Sequence, residues 1–159
     1  MGTIKVDRLR DVLQSINGLV QKQVLVGIPD SAPERDDDAP LSNAAIGYIQ
    51  ETGSPANNIP ARPFLVPGVE DATPKVTPHL QKSVEAALDG DLSGAERRMG
   101  SAGLVAQNSV RTKINSGIKP DLKPSTIADR LRRGRTGTVP LIDTGQLRNS
   151  ITFVIRRKK

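Results

Sequence analysis

The sequence predicts an α+β fold: a small, mostly antiparallel sheet that includes an N-terminal and a C-terminal strand and is covered by helices on one face. Two observations carry this. Residues 23–28 and 151–155 are rich in β-branched and apolar residues and stand near opposite ends of the chain, and the segments between them place apolar residues at helical spacing. A third is size, since 159 residues with 36% hydrophobic content suit one domain spanning 1–159. Only Tyr48, Phe64 and Phe153 are aromatic, so the expected core is aliphatic and modest, with partner burial as a supplement.

Taken in order, Val6, Leu9, Val12, Leu13 and Ile16 recur at helical spacing behind Asp7, and Asn17-Gly18 supplies a stop. Residues 23–28 follow as a strand closed by Pro29, with Val24, Val26 and Ile28 on one face. Residues 30–40 combine turn formers with an acidic run and read as a mobile loop. Asp36, Asp37 and Asp38 lack the alternating spacing of a calcium loop, so a solvated loop is the reading there.

A second helix begins at Ser42 as N-cap, with Leu41 and Ile46 at staple spacing and Gly53 as its stop. Pro60, Pro63 and Pro67 then impose an extended path that presents Phe64 and Leu65. Val76, Leu80, Val84 and Leu88 mark a helix late in 69–89, whose start Pro74 and Pro78 delay. Ser93 and Glu96 stand at capping-box spacing ahead of a long helix through Met99, Ala102, Ala106, Val110 and Ile114, ending near Gly117. Ser125 caps a short helix that Gly134 terminates, and Arg130, Arg132, Arg133 and Arg135 crowd a second mobile loop, 130–139. One turn at 147–150 leads into the strand 151–155 and a basic tail, 156–159.

Charge is segregated. Residues 1–91 hold 8 Lys/Arg against 13 Asp/Glu, residues 92–159 hold 15 against 4, and the whole carries +6. Such asymmetry fits an acidic partner such as nucleic acid, or self-assembly in which an acidic part faces a neighbour's basic part. Aromatic platforms and nucleic-acid recognition motifs are missing from the basic half, whose one aromatic is Phe153.

Several chemistries are disfavoured by residue type. The chain has no Cys and the single His79, which removes thiolate catalysis and disulfides and leaves neither a Ser-His-Asp triad nor a zinc site well supplied. No apolar run reaches membrane-spanning length, and the first residues lack a signal peptide's apolar stretch, so a soluble protein without membrane partners is expected. Gly2 is followed by Val6 where a myristoylation motif wants Ser or Thr. Neither a phosphate-binding loop nor a dinucleotide fingerprint is present.

Asp143-Thr-Gly145 matches the local signature of an aspartic protease, which needs two carboxylates sharing a proton and would require dimerisation here. Too little chain follows it for a flap. The simpler reading is a structural turn in which Asp143 or Thr144 caps the helix turn at Gln146 and Gly145 supplies the dihedrals. The expectation is therefore no enzyme, no cofactor and no metal.

Three further stretches carry a resemblance: Ile46-Gly-Tyr-Ile-Gln-Glu-Thr-Gly53, Ile59-Pro-Ala-Arg-Pro-Phe-Leu65, and Leu122-Lys-Pro-Ser-Thr-Ile127 followed by Pro140-Leu-Ile-Asp-Thr-Gly-Gln-Leu-Arg-Asn-Ser-Ile151. In this order they resemble tailed-bacteriophage neck and tail-completion proteins, a virion morphogenesis family that includes tail terminators. Thr52 departs from it, standing where the family often has an aromatic. The resemblance implies a non-enzymatic virion protein that forms a cyclic ring, expected as a hexamer, at the neck or the head-proximal end of the tail. There it would complete the tail and join it to the capsid, after assembly in the host cytoplasm and alongside other neck or tail proteins, with packaged DNA nearby. The expected interface residues are Arg62 and Phe64, held by Pro60 and Pro63, together with Arg130, Arg132, Arg133, Arg135, Arg156 and Arg157. Phe64 serves either the core or a neighbouring subunit. The competing classes are a basic nucleic-acid-associated protein and a dimeric aspartic protease.

Overall fold

The computed structural model describes residues 8–30 and 40–158. It is an α+β fold of six helices and a two-stranded antiparallel sheet against which helices pack. The order is α1 (Leu9–Val20), β1 (Lys22–Gly27), α2 (Asn43–Thr52), a 3₁₀ turn (Pro55–Asn57), α3 (Leu65–Leu88), α4 (Leu92–Asn115), α5 (Pro124–Arg132), α6 (Gln146–Ser150) and β2 (Thr152–Arg157). The strands near the two ends of the chain pair with each other, and the ladder is extended by the Lys158 N–H donating to the Gln21 carbonyl at 2.7 Å. The chain divides into two compact units: the described residues of Met1–Leu25, Thr73–Val105 and Phe153–Lys159, and those of Val26–Ala72 and Ala106–Thr152.

In the first unit the last four turns of α3 and the first part of α4 form a hairpin about Gly90, whose φ of 80° suits a residue without Cβ. Small residues line the seam. Ala87, Ala95, Met99 and Ala102 are buried, and the buried Ser83 hydroxyl donates to the Ala95 carbonyl at 2.8 Å, so its burial costs no unmet hydrogen bond. At Gly103 a Cβ would lie 2.3 Å from the Phe153 ring, so the glycine lets α4 lie directly on β2. Lys22 of β1 pairs with Glu96 of α4.

In the second unit Phe64, Val110, Ile114 and Ile151 are fully buried, and Val26, Ile28, Leu65, Ile118, Leu141 and Ile142 pack around them. Gly47 of α2 faces this cluster, since a Cβ there would stand 2.7 Å from Ile28 Cδ1 and 3.7 Å from Phe64 Cζ. Lys113 of α4 pairs with Asp71 of α3 at 2.8 Å.

Several element boundaries differ from those the sequence suggests. Helix α1 runs through Asn17-Gly18 to Val20, because a Gly in a helix interior costs only about 1 kcal/mol and here gives Leu92 room at 3.2 Å from where a Cβ would sit. The suggested start at Val6 and Asp7 lies outside the described residues, as do Gly2, Asp36, Asp37, Asp38 and most of the loop 30–40. Helix α3 starts at Leu65 and contains Pro74 and Pro78. Their four-residue spacing puts both on one exposed side, where the carbonyls they leave unbonded are open to solvent. The capping box at Ser93 and Glu96 does not form: the Asp91 carboxylate accepts the Gly94 N–H at 2.8 Å and the Ser93 hydroxyl at 3.1 Å. Helix α5 begins at Pro124, preset for a first helical position, with Lys123 rather than Ser125 at the N-cap. Arg156 and Arg157 belong to β2 rather than to a tail, and Lys159 lies outside the described residues.

Candidate functional site

The second unit holds a cleft of about 380 Å³. Helix α2 contributes Ile46 and Gln50 to its wall, the segment after the 3₁₀ turn contributes Ile59, Pro60 and Arg62, and α5 with the residue before it contributes Lys123, Thr126 and Arg130. The Asp143-Thr-Gly turn closes the circuit. All the stretches that carry the family resemblance, which are distant along the chain, therefore border one cavity.

Local chemistry explains how the wall is held. Ser42 caps α2 by accepting the Ala45 N–H at 3.2 Å, and Gly53 ends the helix at φ 79°. Directly beyond, the Arg62 N–H donates to the Gln50 carbonyl at 2.6 Å, which lays the proline segment along the end of α2. The Arg62 guanidinium is only 7% exposed and donates to the carbonyls of Pro120 (2.7 Å) and Asp121 (3.1 Å). Burial pulls its pKa below the ordinary value, and the charge of Asp121 acts in the opposite sense.

Arg130 is 6% exposed and works as a clasp. Its Nη1 donates to the carbonyls of Gly137 (2.8 Å), Val139 (3.1 Å) and Ile142 (2.8 Å), while Nε lies 3.5 Å from Asp143 Oδ1. Arg135 pairs with the other oxygen of Asp143. The stretch following α5 is thus tied down by one side chain, and an arginine suits it because its planar fork presents several donors at once. Gly145, at φ 79°, is the N-cap of α6, and the Thr144 hydroxyl lies 3.5 Å from the Gln146 N–H, as a structural turn requires.

The interface residues expected from the sequence thus fall into two groups. Arg62, Phe64 and Arg130 are buried within the second unit, Phe64 in its core and the two arginines in the wall of the cleft. Burial follows from what they satisfy: Phe64 fills the aliphatic core, and the two arginines satisfy five carbonyls that elements of regular structure leave unpaired. Arg132, Arg133, Arg156 and Arg157 are exposed, with Arg132 paired to Asp129 in its own helix, while Arg135 is half-buried against Asp143.

Sequence reasoning passed over Glu51, Gln50 and Lys123. Glu51 has a signal, because α3 starts after Pro-Phe with no side chain able to cap it, so the cap must come from elsewhere. Among the described residues Gln50 Oε1 is buried without a hydrogen-bond partner, and Lys123 meets only the Asn58 carbonyl, at 3.5 Å. Neither property has a sequence signature. Among the described residues no cluster of three or more His, Cys, Asp or Glu could hold a metal ion.

No family model, curated protein or solved structure matches this chain.

Proposed function

We propose that this chain is a structural virion protein of a tailed bacteriophage, of the neck or tail-completion class, that assembles into a cyclic ring joining tail to capsid. The reading rests on the resemblance in the sequence, and one observation carries it further: the separate resembling stretches border a single cleft in one unit, as parts of one inherited structural element would.

The outer surface suits assembly. Leu9, Leu13 and Val20 of α1 and Leu80, Val84 and Leu88 of α3 are each at least 40% exposed, and rows of uncovered aliphatic side chains on helices are what subunit contacts use. The ring's charge pairing would fall to the exposed arginines, Arg132, Arg133, Arg156 and Arg157.

Negative-stain imaging and sedimentation of the full chain test the proposal. Ring particles, weakened by salt and by charge reversal at Arg132 and Arg133, are the expected result. A monomer at every concentration and ionic strength, or absence of the protein from disrupted particles, would refute it. The nucleic-acid reading predicts instead a salt-steep affinity for DNA in the isolated chain, with Arg156, Arg157 and Lys158 at the end of β2 as the contact. The protease reading requires a free, proton-sharing Asp143, a role at odds with a carboxylate already bound by Arg130 and Arg135.

A further inference from the structure

The cleft of the second unit has an unbalanced charge. Arg62, Lys123 and Arg130 line it, against the single carboxylate of Asp143, which Arg135 also engages. No carboxylate of the described residues stands within 4.0 Å of the Arg62 or Lys123 nitrogens. Asp121, two residues before Lys123, is paired with Lys119, and its charge also acts on Arg62. Arg62, 7% exposed and hydrogen-bonded to two carbonyls, has Asp121 as its nearby charge, whereas Lys123 is exposed with no carboxylate beside it. A partly screened cation at a cleft wall attracts an anion.

Two further features narrow the anion. Gln50 Oε1, a buried acceptor in the wall, is unpaired and calls for a donor. Ile46, Ile59, Pro60, Leu122, Leu141 and Leu147 line the cleft beside Asn58, Thr126, Thr144 and Gln146, with no aromatic side chain on which a base would stack. Phosphates of a nucleic-acid backbone offer acceptors only. A peptide offers everything at once: side-chain carboxylates, backbone N–H donors and methylene groups.

We propose that this cleft docks an acidic peptide segment of a partner protein, its carboxylates held by Lys123 and Arg62 and a backbone N–H meeting Gln50. The site does not depend on the virion reading. The chain's own residues 30–40, Asp-Ser-Ala-Pro-Glu-Arg-Asp-Asp-Asp-Ala-Pro, have the required composition, so a synthetic peptide of that sequence serves as the probe.

Titration of the labelled peptide against the full chain, read by fluorescence anisotropy, decides the matter. Binding should weaken with salt and fall by at least about tenfold with Lys123→Glu, with Gln50→Glu, or when the peptide's Asp and Glu residues are replaced by Asn and Gln. Lys82→Glu, on α3 outside the cleft, should leave it unchanged. Lys123 is exposed, so its variant keeps the fold, and circular dichroism checks this for both. Absence of binding, binding indifferent to Lys123→Glu, or a single-stranded DNA that binds more tightly than the peptide in a Lys123-dependent way would overturn the proposal. Ring formation is read separately by sedimentation, so either idea can fail without the other.

Discussion

Glu51 caps the helix that Phe64 leads into. Its carboxylate accepts the Phe64 N–H at 2.7 Å, and the N–H groups of Leu65 and Val66 follow at 2.8 and 3.0 Å. These are free donors at the start of α3, where the helix dipole also favours a negative charge. Phe64 itself is fully buried, so the same contact that caps α3 fixes where the core aromatic enters. Two motifs far weaker apart than together, the Glu-Thr-Gly turn and the Pro-Ala-Arg-Pro-Phe segment, are thereby a single structural device.

Removing that carboxylate should cost stability. Glu51→Ala strands three backbone donors and is expected to lower the unfolding free energy by about 2–3 kcal/mol. Glu51→Gln keeps one acceptor oxygen and should lose roughly half as much. Urea denaturation of the two variants measures both, and an unchanged midpoint in Glu51→Ala would show that water caps the helix equally well.

Two glycines on the long helices should respond to the same substitution with opposite signs. At Gly68 a Cβ would stand 2.7 Å from the Val110 backbone, a contact that no rotamer change relieves. Gly68→Ala is therefore expected to destabilise by about 2 kcal/mol. At Gly100 nothing lies within 4 Å, and Gly100→Ala should stabilise by up to about 1 kcal/mol through helix propensity. Thermal melts of the pair give the comparison directly.

Arg130 gathers three carbonyls and one carboxylate beyond the end of α5. Arg130→Met leaves those carbonyls without their donor and Asp143 with Arg135 alone, and should destabilise by about 3 kcal/mol. Arg130→Lys should recover little, since an ammonium cannot reproduce the fork. The specific sign is faster amide exchange in 135–143 than elsewhere in the unit; protection that stays uniform would mean the clasp is not what orders the stretch.

What was legible in the sequence is what is decided nearby. Ser42 as a cap, Gly53, Gly134 and Gly145 at positive φ, and the existence of the two strands all depend on a few adjacent residues, and they stand as the pattern indicated, the strand ends shifted by one or two residues. The start of α3 was hidden because its cap, Glu51, is fourteen residues upstream while its prolines argue locally against a helix. Arg62 and Arg130 look like surface charge in a sequence, since the carbonyls that bury them belong to loops whose path is a tertiary outcome. Asp91 and Ser93 compete for one cap, and spacing alone favoured the wrong partner.

That competition has a pH signature. The Gly94 N–H, then the Ser93 hydroxyl, then the charge of Arg97, hold the Asp91 carboxyl below its ordinary value of 3.8. A carboxyl whose folded pKa lies below its unfolded one binds a proton more readily when unfolded, so ionised Asp91 contributes stability above the unfolded value. That contribution fades as the pH falls from about 3.9 through the lower, folded pKa. Asp91→Asn keeps a capping oxygen for Gly94 but has no charge to lose. Wild type should therefore be the more stable protein near neutrality, with the gap to Asp91→Asn closing in the acid range below pH 4. Urea unfolding of both proteins from pH 7 to pH 2 reads the gap; one that stayed constant would assign the cap to the hydrogen bond alone, whatever the charge on the side chain that makes it.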